Sequence, residues 1–130
     1  MARKVLVVED EPSIRNVLYV LLAALKCEGD VAYSGQQALA MIGRGSFDAV
    51  LLDLRCADPS AAEVLSKINE IRPNLVGRIL FITGEVSDPG TLTMIERNCA
   101  PHVTQGRLIE DLWDRLRSIF GQAHSAHTAH

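Results

Sequence analysis

The stretch that most limits what this chain can fold into is Asp48-Ala-Val-Leu-Leu-Asp53-Leu-Arg55. Its apolar run, Ala49 to Leu52, does not alternate with polar residues as a half-exposed strand would, so it predicts a strand covered on both faces. Strands of that kind belong to parallel sheets held between helices. In open sheets of this class, ligands gather outside the carboxyl ends of the strands. Asp53 stands at that end, which makes it the first residue to suspect of chemistry.

The remaining chain supplies partners for such a strand. Lys4 to Val8 is a continuous, β-branched run that passes straight into Glu9-Asp10-Glu11. Pro12 suits the first position of a helix, and Ile14, Val17, Leu18, Leu21, Leu22 and Leu25 recur at helical spacing to about Cys27, with Gly29 as the stop. Asp30 to Tyr33 predicts a short strand and Ser34 a helix cap. Ala38, Leu39, Met41 and Ile42 mark a second helix, closed by Gly43 and Gly45. Beyond Asp53, a loop through Ala57, Asp58 and Pro59 precedes a helix bearing Ala62, Val64, Leu65, Ile68 and Ile71, which ends before Pro73. Arg78 to Thr83 predicts the fourth buried strand, with Thr83-Gly84 at its exit. Asp88-Pro89 opens a less apolar helix with Leu92, Ile95 and Cys99 on one face. A brief strand, His102 to Thr104, leads into Gln105-Gly106. The last helix carries Leu108, Leu112, Leu116, Ile119 and Phe120, with Trp113 beside that core-facing stripe and Gly121 as its end.

Five strands alternating with five helices through short links imply right-handed crossovers and a doubly wound α/β domain over residues 1–120. Residues 121–130 are small and polar and predict a disordered tail, in which His124, His127 and His130 serve no metal. A length of 130 residues suits one domain. The net charge of −3 gathers neither nucleic acid nor an acidic membrane. The three cysteines, Cys27, Cys56 and Cys99, are widely spaced and read as small buried hydrophobes in a reducing compartment. Val5 to Val8 is too short for a signal peptide or a membrane span, and a cytoplasmic location is expected.

Side by side, the strand exits collect Glu9, Asp10, Asp53, Thr83 and Gln105. Three carboxylates together repel unless a positive charge sits among them. Mg²⁺ binds through a few carboxylates beside a phosphate, so the acidic cluster predicts a Mg²⁺ seat. Asp53 would then be ligand and nucleophile at once, because a carboxylate can accept a phosphoryl group as an acyl phosphate. The Thr83 hydroxyl, next to a glycine that permits close approach, would act as a donor.

Val-Val-Glu9-Asp10-Glu-Pro, then Val-Leu-Leu-Asp53-Leu, then Phe-Ile-Thr83-Gly84, followed by a short strand and a final amphipathic helix, resemble the receiver domain of two-component response regulators. The resemblance covers residues 3 to about 120. It implies a flavodoxin-like fold with strand order 2-1-3-4-5 and Asp53 as phosphoacceptor. It also implies a Mg²⁺ held by Glu9, Asp10, Asp53 and the backbone carbonyl of Arg55, with Thr83 as switch hydroxyl and His102 at the rotating aromatic position. On this reading the chain is a stand-alone receiver, a phosphoacceptor that assists its own phosphoryl transfer and loss rather than an enzyme. A sensor histidine kinase or phosphotransfer protein serves it, and output runs through protein contacts or phosphorelay. A homodimer through the last helix is the alternative to a core role for Trp113.

The departures from the family bear on mechanism. Receivers carry a Lys-Pro pair after the fifth strand, the lysine contacting the phosphoryl group, and here Gln105-Gly106 stand there. Ala57 and Ala61 replace the usual proline and glycine of the loop after the phosphoacceptor. A neutral glutamine bonds phosphate roughly half as strongly as a cation does. Arg55 or Arg107 would supply the missing charge, and Arg55, two residues from Asp53, is the expected substitute. The alternative function is a receiver-like docking module that binds a partner without phosphorylation. An Asp-based phosphatase is disfavoured, since its second acid would fall at Arg55.

Overall fold

The structure, a computed structural model, describes residues 2–58, 60–84, 89–97 and 101–128, with side chains described for all of these except 91, 92, 94 and 122–128. The strands are β1 (Arg3–Val8), β2 (Cys27–Ala32), β3 (Ala49–Asp53), β4 (Ile79–Thr83) and β5 (His102–Thr104). The helices are α1 (Pro12–Ala24), α2 (Gly35–Arg44), α3 (Ala61–Ile71), α4 (Pro89–Arg97) and α5 (Leu108–Thr128). All neighbouring strands pair in parallel in the order β2-β1-β3-β4-β5, the flavodoxin-like arrangement.

The non-alternating strands follow from the two helix layers. In β3, Val50 and Leu52 face a core shared with Ala38 and Ile42 of α2 and Val64, Leu65 and Ile68 of α3. Ala49 and Leu51 face the opposite core, with Leu18 and Leu22 of α1 and Leu112, Leu116 and Ile119 of α5. Successive strand residues point to opposite faces, so both must be apolar when both faces are covered. The register sets Val8 beside Leu52, Asp53 beside Ile82 and Thr83 beside Thr104, which brings the exits of β1, β3, β4 and β5 to one edge.

Several boundaries differ from expectation. Helix α1 ends at Ala24 rather than near Cys27, because Lys26 adopts the left-handed conformation (φ 59°) that closes helices and is normally given to glycine. Strand β2 therefore starts at Cys27, earlier than Asp30, and Gly29 lies inside it. A 3₁₀ turn over Pro73–Arg78 delays β4 to Ile79. Helix α5 runs past Gly121 to Thr128, since a glycine weakens a helix without forbidding it. Trp113 is about half exposed rather than core, because it lies off the stripe formed by Leu108, Leu112, Leu116 and Ile119. Arg117 stacks over its ring at 5.8 Å. The expectations for Pro59, Asp88, Cys99 and His130, and for the side chains of Leu92, His124 and His127, lie outside the described residues. Among the described residues no helix is long and apolar enough to cross a membrane.

Candidate functional site

Asp53 ends β3 and at the same time caps the 3₁₀ turn Leu54–Cys56, its Oδ1 accepting from Arg55 N at 2.9 Å. That turn doubles the chain back, and the Arg55 side chain returns over the carboxylate. Its Nη2 donates to Asp53 Oδ2 at 2.9 Å and its Nε to Oδ1 at 3.3 Å, a two-pronged, charge-assisted contact. The same Nη2 reaches Glu11 Oε2 at 3.1 Å and lies 3.7 Å from Glu9 Oε1. One guanidinium thus sits among three carboxylates, the arrangement that relieves their mutual repulsion. Gln105 contributes a long, neutral contact, Nε2 to Asp53 Oδ2 at 3.4 Å.

Burial shapes the protonation of the group. Glu9 is fully buried and Asp53 nearly so. Loss of water around Glu9, with the Asp53 carboxylate beside it, pushes its pKa up to about 8 despite the bond from Glu11 N at 3.1 Å. For Asp53 burial acts in the raising direction too, but the neighbouring Glu9 and the hydrogen bonds from Arg55 outweigh it and the pKa is lowered. Within the pair, Glu9 is pushed toward its protonated form and Asp53 toward its charged one. The bond to Asp53 in turn raises the pKa of Arg55, which stays a cation.

Sequence reasoning treats Cys56 only as packing, but the turn that returns Arg55 also brings the Cys56 Sγ to 3.4 Å from Asp10 Oδ1. Burial raises its pKa to about 12, so at neutral pH it is a thiol. Glu11 is likewise a missed participant, as the outer anchor of Arg55. The available signal was spacing: a single 3₁₀ turn after Asp53 brings the second and third residues onward back toward the strand edge.

The structure brings Asp53, Arg55 and Gln105 into one hydrogen-bonded group, with Glu9 3.7 Å from the Arg55 guanidinium and Asp10 alongside through Cys56. Thr83 is buried at the end of β4. Arg107 is bonded instead to Asp111 one helical turn on, at 2.9 Å, so Arg55 is the cation found on Asp53. His102 is exposed, and its carbonyl accepts from Arg115 Nε at 3.1 Å.

The residues suit a divalent cation. Glu9 Oε2 is buried with no hydrogen-bond partner among the described residues, a cost that a cation would remove. Ligand atoms of Glu9, Asp10 and Cys56 lie within 4.8 Å of one another.

A five-stranded doubly wound sheet in the order 2-1-3-4-5, with its polar residues collected at the carboxyl edge around a central-strand aspartate, defines a flavodoxin-like α/β domain. Residues 5–117 match the response regulator receiver domain, and the chain belongs to that family. It is similar to the transcriptional regulatory protein TrcR of Mycobacterium tuberculosis, 28% identical over 116 residues that make up 89% of this chain and 44% of that protein. It is also similar to the transcriptional regulatory protein DltR of Streptococcus agalactiae, 30% identical over 114 residues, 88% of this chain and 50% of the relative. The chain thus spans about half the length of these curated relatives. Among solved structures, the response regulator TrrA of Thermotoga maritima in complex with Mg²⁺-BeF superposes with a TM-score of 0.75 at 25% identity, covering 90% of this chain and 98% of that one.

Proposed function

We propose that this receiver accepts a phosphoryl group on Asp53 from a phosphohistidine of a sensor histidine kinase or phosphotransfer protein. The observation that carries the reading is Asp53 itself, a buried carboxylate kept ionised at the end of β3 beside Glu9. One Asp53 oxygen attacks phosphorus, the phosphorus–nitrogen bond breaks, and the imidazole that leaves takes its electron pair. For an oxygen to attack, Arg55 must shift from Asp53, and its guanidinium then faces the incoming group with charged donors. That is the part the family lysine plays and neutral Gln105 cannot.

Glu9 and Asp10, with Asp53 and the Arg55 carbonyl, would hold Mg²⁺, which supplies charge neutralisation for the transferred group. The Mg²⁺-BeF complex of TrrA supports a metal in this role. Thr83 would donate its hydroxyl to the phosphoryl group, and His102 on β5 would report the change at the surface. The protein is then a phosphoacceptor that assists its own modification rather than an enzyme with a separate substrate, and it acts in the cytoplasm. A homodimer through α5, which leaves Trp113 half exposed, is one form its output could take.

Incubation with a phosphorylated kinase domain or a small phosphodonor and Mg²⁺ is expected to add about 80 Da to the intact mass. Absence of the adduct, or its survival in Asp53→Asn, overturns the reading.

One observation favours a second reading, a docking module that works unphosphorylated. Arg55 already engages both Asp53 oxygens, and Gln105 is neutral. Partner binding that persists with neither Mg²⁺ nor adduct formation would select it.

A further inference from the structure

We infer that Glu9, Asp10 and Cys56 form a seat for a thiophilic divalent cation of the zinc and cobalt class, with the Cys56 thiolate as a ligand. Four observations converge on it. The three side chains come from two strand exits and place one ligand atom each within 4.8 Å of the others. Glu9 is fully buried, and its Oε2 has no partner among the described residues. Cys56 Sγ already contacts Asp10 Oδ1 at 3.4 Å, across 46 residues of sequence. Arg55 occupies both oxygens of Asp53, while the Cys56 thiol is the third ligand atom grouped with the acidic pair among the described residues.

The donor chemistry decides the metal. Oxygen-only sites suit Mg²⁺, whereas a thiolate adds nothing for that hard ion and favours zinc, cobalt and their neighbours. Two carboxylates and a thiolate make three protein ligands, which leaves a fourth position for water, the pattern of an open zinc site. The divalent ion matches two of their three negative charges, while the adjacent Arg55 guanidinium stays paired with Asp53. On binding, the sulfur–hydrogen bond of Cys56 and the oxygen–hydrogen bond of Glu9 break, sulfur–metal and oxygen–metal bonds form, and both protons leave to solvent with no change in oxidation state. The seat shares Glu9 and Asp10 with the proposed Mg²⁺ site but does not depend on phosphorylation. A thiophilic ion there withdraws both acids from Mg²⁺.

The test titrates Co²⁺ into the full chain carrying Cys27→Ser and Cys99→Ser. A sulfur-to-cobalt charge-transfer band is expected, saturating at one equivalent, displaced by Zn²⁺ at equimolar concentration and by Mg²⁺ only in large excess. Cys56→Ser should abolish the band, and Glu9→Gln should weaken Co²⁺ binding at least about tenfold. Circular dichroism checks that the variants fold, and Cys56→Ala serves if the serine variant does not. Histidines at 124, 127 and 130 give no sulfur band, so the signal belongs to Cys56. No band, or one that persists without Cys56, overturns the inference. An adduct on Asp53 without the band would leave the phosphoacceptor reading standing alone, and the band without an adduct would do the reverse.

Discussion

The guanidinium of Arg55 lies 2.9 Å from Asp53 and 3.1 Å from Glu11, and it is the cation set among the three carboxylates Glu9, Glu11 and Asp53. Removing one partner of a buried ion pair costs about 3–5 kcal/mol, but the Arg55 side chain is half exposed and water replaces part of what it gives. Arg55→Ala is therefore expected to lower stability by about 1–2 kcal/mol in chelator, with part of the loss recovered in millimolar Mg²⁺ as a cation returns among the carboxylates. Urea denaturation with and without Mg²⁺ measures both, and equal losses in the two conditions would remove Arg55 from this role. The same variant should also slow phosphorylation of Asp53, read as the rate of adduct formation. At this scale Asp53, Glu9 and Asp10 were legible because strand exits announce themselves as acids after apolar runs. The fork of Arg55 and the approach of Cys56 were not fully legible, because they depend on how a three-residue turn aims its side chains.

Helix α2 shows how an element some distance along the chain supports the site. Ser34 caps it, its hydroxyl accepting from Gln37 N at 3.1 Å, while Gln37 reaches back to Tyr33 N at 2.8 Å. Gly35, the first helical residue, lies directly against the loop after Asp53. A methyl group there would sit 2.8 Å from Asp58 O and 2.9 Å from Val64 Cγ2, one of them backbone that cannot turn aside. Gly35→Ala is expected to cost about 1–3 kcal/mol and to disturb that loop. Gly43→Ala, at the other end of the same helix, meets nothing within 4 Å and should stabilise by up to about 1 kcal/mol. Thermal or urea midpoints of the two variants should move in opposite directions, and movement in the same direction would discard the packing argument. Helical spacing in the sequence located α2, but the need for glycine at its start arises from a loop more than 20 residues later.

For the whole molecule, the raised pKa of Glu9 links stability to pH. Between its ordinary 4.5 and the folded value of about 8, the folded protein keeps a proton that the unfolded chain has released. Its stabilising contribution is complete below 4.5 and is lost as pH rises through 8, with a slope of at most about 1.4 kcal/mol per pH unit. Asp53 acts the other way. Its pKa is lowered from 3.8, so its contribution is present above that value and is lost only as pH falls through the lower folded one. Urea midpoints in chelator should therefore fall from about pH 6 to about pH 8, and Glu9→Gln should flatten the decline. A midpoint that rises over that interval would show Glu9 ionised throughout.

The sequence by itself determined the layering: uninterrupted apolar strands, helices with one apolar stripe, and acids at the strand exits can be satisfied only by a parallel sheet covered on both faces. Burial is a property of each segment's own composition, so it is readable locally. The tertiary structure alone decided which cation stands among the carboxylates, that Arg107 turns instead to Asp111, that Trp113 faces water, and that Cys56 joins Glu9 and Asp10. Those outcomes depend on distances of a few ångströms set by how turns aim side chains and, for Cys56 with Glu9 and Asp10, on two strand exits far apart in the chain being brought to one edge.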